Sequence, residues 1–441
     1  MLAVVVSRAD NASENIGERL LALETWTTHE DTSRPDARGG GTVYRADGAE
    51  LRTFDELHLH LDGAAAAFDD PTCLAFVSRH SGDTGPLLTA HATGNFGEAA
   101  YGGGTGSLAR AAPNALKRVR AALEEYAPAR YHVGVECTHH GPSTVGCPSL
   151  FVELGSTETA WADPEGAEAV ARAVLDLRGV DPDGNRAVVG FGGGHYAPRF
   201  DRVLTDTDWG VGHIAADWAL DDMGDPHDSR AVVAKAFTQS GAEYALLDGK
   251  YPELECVIDD LGFSTVSETW LHETTGVPLS FVERVESDLR SVDDGLRFGD
   301  RAVGYDGSFT VTTIPPELLT EANGIDRAAV VETVSEQSLA YETVEGASLV
   351  SGRVALVDET ERRAIGKRLA TILQRKYDSV IVTDDAVVAR REAFDPALAR
   401  KAGVPEGPAF GDLAAGQSVD VDGRRVEPHE VSRAHERRFP L

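Results

Sequence analysis

The stretch "YHVGVECTHHGPS", Tyr131 to Ser143, sets Tyr131, Val133 and Val135 in strict alternation and then places Glu136, Cys137, Thr138, His139 and His140 in a row. A period of two is the mark of a β-strand. A carboxylate, a thiol, a hydroxyl and two imidazoles directly beyond it are what a functional loop on a rigid element requires. The same strand texture recurs in "LAVVV" (from Leu2), "CLAFVS" (from Cys73), "SLFVEL" (from Ser149), "RAVVGF" (from Arg186) and "YALLD" (from Tyr244). Between these runs, Leu116, Val119, Leu123 and Tyr126 repeat at helical spacing. Asp163-Pro164 opens a further helix, with an N-cap side chain and a proline whose missing N–H costs nothing there. Strands alternating with helices predict an α/β fold.

Working outward, four of these strands are each followed by histidine: "CLAFVSRH" by His80, "PLLTAH" by His91, "YHVGVECTHH" by His139 and His140, and "VVGFGGGH" by His195. In an open α/β sheet, functional groups gather beyond the carboxyl ends of the strands, so these side chains are predicted to meet on one edge of the core. Neighbours in an extended chain point to opposite sides, so only one of His139 and His140 is expected to face the site. Gly192, Gly193 and Gly194 mark a sharp turn or a close backbone approach. The pattern GxGxxG fails at His195 and no GxxxxGK[ST] occurs, so no nucleotide cofactor is expected. "YGGGTGSL", Tyr101 to Leu108, reads as a flexible surface turn.

Neutral imidazoles with a carboxylate are also what zinc takes, and a catalytic zinc keeps a position open for water, whose pKa falls to about 7. Glu136, His139, His140, His195, His80 and His91 suffice for one or two such sites. No HExxH is present, so spacing alone leaves open a metal-free alternative, with one histidine as general base and the glycine loop's N–H groups as oxyanion donors.

The whole chain sets the bounds. Its 441 residues predict two or three domains. Lys and Arg number 41 against 72 Asp and Glu, a formal charge of -31, and six of the basic residues are Lys. Such repulsion is screened in concentrated salt, where the Debye length is about 3 Å at 1 M, so the composition reads as salt-adapted. Local basic patches leave an RNA substrate open. Four scattered cysteines without a CxxC pair predict reduced thiols, and with no signal peptide or membrane-length apolar run the protein is expected in the cytoplasm. The texture changes near residues 285 to 325, where a boundary is placed. Beyond it, Glu359 to Lys376 predicts an amphipathic helix with Ile365, Leu369, Ile372 and Leu373 inward and a basic outer face, read as solvated in preference to phosphate-binding.

The segments "SRHSG" (Ser78–Gly82), "TAHATGNFG" (Thr89–Gly97), "GVECTHHGP" (Gly134–Pro142), "FVELGSTE" (Phe151–Glu158), "GFGGGHYAPRF" (Gly190–Phe200) and "GHIAADW" (Gly212–Trp218) together resemble the archaeal and plant type of D-aminoacyl-tRNA deacylase, over roughly residues 1 to 285. The resemblance implies hydrolysis of the ester joining a D-amino acid to the 3′ end of tRNA, a chiral proofreading and D-amino acid detoxification reaction, with zinc as cofactor. It implies a three-layer α/β/α core similar to peptidyl-tRNA hydrolase and nucleoside phosphorylases. By position it implies His80, His91, Asn95, Glu136, Thr138, His139, His140 and His195 as the catalytic set, with Glu136, His80, His139, His140 and His195 as metal ligands. Cys137 is expected to pack and not to act as a nucleophile. The expected organisation is a catalytic domain at 1–285, a linker at 286–325 and an accessory α+β region at 326–441, in a monomer whose substrate is D-aminoacyl-tRNA.

"AGVPEGPAFGDLAAGQSVDVDGRRVEPHEV", Ala402 to Val431, is similar to an element of tRNA 3′-processing endonucleases. That opens a second reading, a metal-dependent tRNA 3′-end nuclease, since "HLHLDG" (His58–Gly63) comes within one residue of HxHxDH. Gly63 stands in the last histidine's place, and His58 and His60 are expected on one face of an exposed strand. A non-catalytic tRNA-binding protein is the third reading, one that needs no clustered imidazoles.

Overall fold

The apolar runs form strands where the alternation places them. In chain order the strands up to Val266 are β1 (Leu2–Ser7), β2 (Thr27–Asp31), β3 (Gly41–Ala46), β4 (Ala49–Phe54), β5 (Cys73–Arg79), β6 (Leu87–His91), β7 (Gly94–Asn95), β8 (Ser107–Leu108), β9 (His132–Val135), β10 (Ser149–Gly155), β11 (Ala187–Gly192), β12 (Gly210–Ala215), β13 (Tyr244–Asp248) and β14 (Ser264–Val266). The computed structural model describes all 441 residues and divides into two units, Met1–His272 and Glu273–Leu441.

In the first unit an eight-stranded sheet runs β2-β3-β4-β1-β5-β10-β6-β9, and a four-stranded sheet runs β12-β11-β13-β14. β4, β1, β5 and β10 are parallel. β6 then runs antiparallel to β10, setting His91 opposite Phe151, and β9 follows β6. This corrects the expectation of a shared carboxyl edge: β6 and β9 end where β5 and β10 begin, so strand ends cannot gather these histidines. What gathers them is a face. Side chains two apart share a side of the pleat, and Ser78, Glu153 and His91 lie on the side that carries Phe76 and Phe151.

The two sides of the sheet are covered differently. On one, Val6 packs against Gly17 of the helix Asn11–Leu23, whose N-cap Asp10 accepts from the amides of Ala12 and Ser13. The helices Pro113–Tyr126 and Pro164–Leu175 complete that layer, the latter capped by Asp163 as expected. On the other, Ala3, Val5, Leu74, Phe76 and Phe151 pack against Ala64, Ala65, Ala67, Phe68, Val145 and Cys147. The mixed α/β class therefore holds, but this second covering layer is a 3-10 turn and loops in place of helices, and so leaves room for a cavity over the sheet.

Beyond β9 the chain passes from one sheet to the other. The amide of Cys137 donates to the carbonyl of His195 at 2.8 Å and that of Thr138 to the carbonyl of Ile214 at 2.8 Å. The loop carrying Glu136 to His140 is thus tied to the far end of β11 and to β12.

In the second unit a four-stranded sheet pairs Leu296–Phe298, Ala340–Val344, Leu349–Leu356 and Thr310–Thr313. The segment 286–325 contributes two of those strands and the helix Pro316–Asn323, because Leu318, Leu319 and Ala322 have a core to enter. The helix Thr360–Leu373 buries Ile365, Leu369, Ile372 and Leu373. Of its basic companions, Arg368 pairs with Glu336 at 2.6 Å, Lys376 with Glu321 at 2.7 Å, and Arg375 with Asp326. Residues 402–431 fold into helix Pro408–Ala414 and the hairpin Val419–Val421/Arg424–Val426 around Leu413, Val426 and Val431.

Candidate active site

A cavity of about 430 Å³ opens over the eight-stranded sheet. Its floor is Ser78, Phe151 and Glu153, and its walls carry Glu136, His80, His139, His140 and His195. Side chains from four well-separated segments of sequence thus share one cavity.

His91, His139 and His140 form one group. Their ring centroids are 4.3 Å (His91–His139), 5.0 Å (His91–His140) and 4.3 Å (His139–His140) apart, and one ring nitrogen from each lies within 4.8 Å of the others. Each ring gives its Nδ1–H to a carbonyl: His91 to Ala92 at 3.0 Å, His139 to Cys137 at 2.9 Å, His140 to Gly141 at 2.7 Å. A carbonyl only accepts, so the tautomer is set and the lone pair sits on Nε2. Burial, with the field of His91, pushes His139 and His140 well below the ordinary imidazole pKa. Burial opposes protonation of His91 as well, but Glu153, 3.5 Å from Nε2, and Glu136 raise it. The expectation that His139 and His140 diverge fails for a backbone reason. His140 takes φ +47°, in the left-handed region, so the chain leaves the extended form and both rings turn to His91.

Glu136 organises the second group. Its carboxylate is buried, with Oε2 2.8 Å from His195 Nε2 and 3.8 Å from His139 Nε2, and Oε1 3.5 Å from His80 Nε2. Burial alone would raise the carboxyl pKa, but the hydrogen bond from His195 and the nearby imidazoles hold it down at about 2. His195 is raised to about 10 by Cys137, whose Sγ lies 3.4 Å from Nδ1, and by Glu136. Cys137 is fully buried, as a packing residue would be, yet its sulfur also touches the site. His80 is held by Ser156 Oγ at 2.9 Å on Nδ1.

Two buried polar atoms in this cluster have no hydrogen-bond partner, His91 Nε2 and Glu136 Oε1. Such atoms are costly unless something is held there. Three imidazoles whose Nδ1–H groups are committed to carbonyls, leaving Nε2 for a ligand, beside a charged carboxylate, suit a divalent metal, and His80, Glu136 and His195 form a further triplet of ligand atoms within 4.8 Å.

Six of the eight residues singled out from sequence converge: His80, His91, Glu136, His139, His140 and His195. Asn95 and Thr138 lie outside the cluster. Asn95 Nδ2 donates to the carbonyls of Gly102 (2.9 Å) and Gly104 (3.4 Å). The glycine-rich turn Tyr101–Leu108 is therefore anchored, with the Gly104 amide on Ser143 Oγ. Thr138 Oγ1 is 3.0 Å from Nδ1 of the buried His213 and accepts from the Ile214 amide at 3.1 Å, so it supports the loop from behind. The turn at Gly192 is required, since a Cβ there would meet Tyr251 Oη at 2.5 Å, but the Gly193 amide is engaged by Asp217 at 2.8 Å and is no oxyanion donor. His58 and His60 form a 3-10 turn in place of a strand. His58 is buried edge-on against Phe76 and Phe151, 3.3 Å from Ser13 Oγ, which separates it from any HxHxDH arrangement. Sequence reasoning did not single out Glu153, although a carboxylate inside the apolar run "SLFVEL" was its signal. Tyr196 and Trp218 were also passed over, inside quoted motifs.

Fold and site together define a mixed α/β protein with a buried centre of five histidines and carboxylates suited to a divalent metal. Residues 67–260 match the family model described as D-aminoacyl-tRNA deacylase. The chain is 65% identical over 439 residues to a D-aminoacyl-tRNA deacylase of Natronomonas pharaonis, covering all of both chains. It is 51% identical to that of Halorubrum lacusprofundi (100% of this chain, 97% of the relative) and 36% identical to that of Methanoregula boonei (87% and 88%). A crystal structure described as a conserved protein of unknown function superposes with a TM-score of 0.56 at 29% identity, covering 62% of this chain and 98% of that one. The chain belongs to the D-aminoacyl-tRNA deacylase family. No helix is long and apolar enough to cross a membrane.

Proposed function

We propose that this protein hydrolyses the ester of D-aminoacyl-tRNA, releasing free tRNA and the D-amino acid in the cytoplasm. The observation that carries the reading is the set of three imidazoles, His91, His139 and His140, each with Nδ1–H committed to a backbone carbonyl and ligand nitrogens within 4.8 Å of one another. Zinc is the cofactor these donors fit, with His91, His139 and His140 as the residues that would hold the ion. When bound, it supplies Lewis acidity toward the ester carbonyl and toward water. The chain's own groups do the rest. Glu136 and His80 orient the attacking water and take up its proton. His195, kept cationic by Glu136, returns a proton to the departing ribose oxygen. Phe151, His58 and the floor of the cavity exclude bulk water from the carbonyl, and Glu153, which accepts from Ser78 Oγ at 2.8 Å, steadies His91.

The cavity stands between sheet and loop, so one direction from the reacting carbon is closed by the sheet. A wall of that kind separates D from L esters with little regard to side-chain identity. We further propose that residues 1–285 form the catalytic domain and that the region from 326 onward is an accessory piece acting on the tRNA end, in a monomeric enzyme. The test is hydrolysis of D- and L-tyrosyl-tRNA by the full chain in high salt, with elemental analysis before and after chelation. Cleavage of the D ester that follows zinc content supports the reading. Equal rates on both esters, or full activity without metal, would overturn it.

A further inference from the structure

The chain holds five Trp, ten Tyr and fifteen Phe, and nearly all are buried or half-buried. The exposed ones are Tyr101 (72%), Tyr196 (40%) and Trp218 (48%). All three stand at the histidine cavity. Tyr101 lines its mouth, and its carbonyl accepts from the amide of Gly141, next to His140. Tyr196 sets its ring 5.0 Å from His195 and its hydroxyl 3.4 Å from His80 Nε2. Trp218 lies 6.4 Å from His195 at an interplanar angle of 30°.

Packing does not account for these rings, because each leaves a large apolar surface in water. Nor are they on loose tails. The Asp217 amide donates to the carbonyl of Gly193 at 2.9 Å, and Asp217 Oδ1 accepts from the amide of Gly193 and from Tyr251 Oη, which fixes the start of the helix that presents Trp218. The turn bearing Tyr101 is fastened through Asn95.

We infer that Tyr101, Tyr196 and Trp218 form a stacking rim for unpaired nucleobases, those of the 3′-terminal nucleotides of tRNA. The inference rests on the deacylase reading, since an ester within the cavity leaves its own nucleotide at the mouth. Aromatic faces are how proteins hold unstacked bases. A chain of formal charge -31 has particular use for them. Attraction to phosphates is weakened both by that charge and by concentrated salt, whereas stacking survives salt.

The test compares wild type with Tyr101→Ala, Trp218→Ala and Trp218→Phe in the full chain. Two readouts are taken: steady-state hydrolysis of D-tyrosyl-tRNA, and quenching of tryptophan fluorescence by the free trinucleotide CCA. We expect KM to rise about tenfold in each alanine variant with kcat within about threefold, recovery of KM in Trp218→Phe, and a quench by CCA that Trp218→Phe removes. Unchanged KM, a loss confined to kcat, or a Trp218→Phe variant as impaired as the alanine would overturn the rim. Failure of the deacylase reading looks different: wild type then leaves D-tyrosyl-tRNA intact, while CCA still reports on the rim.

Discussion

His139 and His195 stand 4.7 Å apart, ring to ring, and are treated in opposite ways by their surroundings. His139 gives its Nδ1–H to a carbonyl, is half-buried and is driven toward the neutral form. His195 faces a buried carboxylate, is a third exposed and is driven toward the cation. The two rings are thus driven in opposite directions across one small cavity, His139 by burial and the fields of His91 and His140, His195 by Cys137 and Glu136. Pairs of titratable groups pushed apart in this way mark a division of labour in catalysis. In the proposed mechanism the division is between holding a cation and moving a proton.

The comparison breaks most visibly at the ligands. His91→Ala is expected to abolish both zinc retention and turnover, while His195→Ala abolishes turnover but keeps part of the zinc, as measured by elemental analysis after gel filtration. Equal metal loss in the two variants would erase the distinction. Next in size, Glu136→Gln leaves His195 without its counter-charge, and single-turnover hydrolysis should slow by about 10²–10⁴-fold; a change under threefold would remove Glu136 from the proton path. Thr138→Val, which touches neither group, should weaken zinc affinity by about 10–100-fold, as loss of an outer support commonly does. Competition with a chromophoric chelator reads this directly.

The smallest effect on turnover comes from His213. It is buried, its Nε2–H donates to the Ala109 carbonyl at 2.7 Å, its Nδ1 faces Thr138, and burial lowers its pKa from 6.5 to about 4. The unfolded chain therefore binds the proton more readily between those values. Its contribution to stability is complete above pH 6.5 and is lost as pH falls through 4, on the order of 3 kcal/mol. Denaturant melts across that range should show the loss, and His213→Gln should flatten it.

Much of this was legible in the chain because strand periodicity is local. Tyr131 to Val135 announce a strand whatever lies beside it, and Asp163-Pro164 announces a helix. Strand direction is not local, and β6 turned against β10 is why the edge argument for His91 failed while its conclusion, convergence, survived. The paired fate of His139 and His140 was hidden in a single φ. His58 was misread because a short alternating run looks alike in an exposed strand and in a buried 3-10 turn, and only Phe76 and Phe151 decide between them. The stretch 286–325 looked like a linker because its apolar residues are sparse, yet Leu318 and Leu319 suffice once the helix Thr360–Leu373 offers a partner surface.

The amides of Cys137 and Thr138 that reach His195 and Ile214 make the ligand-bearing loop a rivet through both sheets of the first unit. An ion seated in the cluster therefore does more than chemistry. At a hundred times its dissociation constant it contributes about 2.7 kcal/mol to the folded state, and the rivet spreads that gain over β9, β11 and β12 together. If the proposed zinc occupies the cluster, stripping it should loosen the whole first unit in one cooperative step, which ties thermal endurance to metal supply.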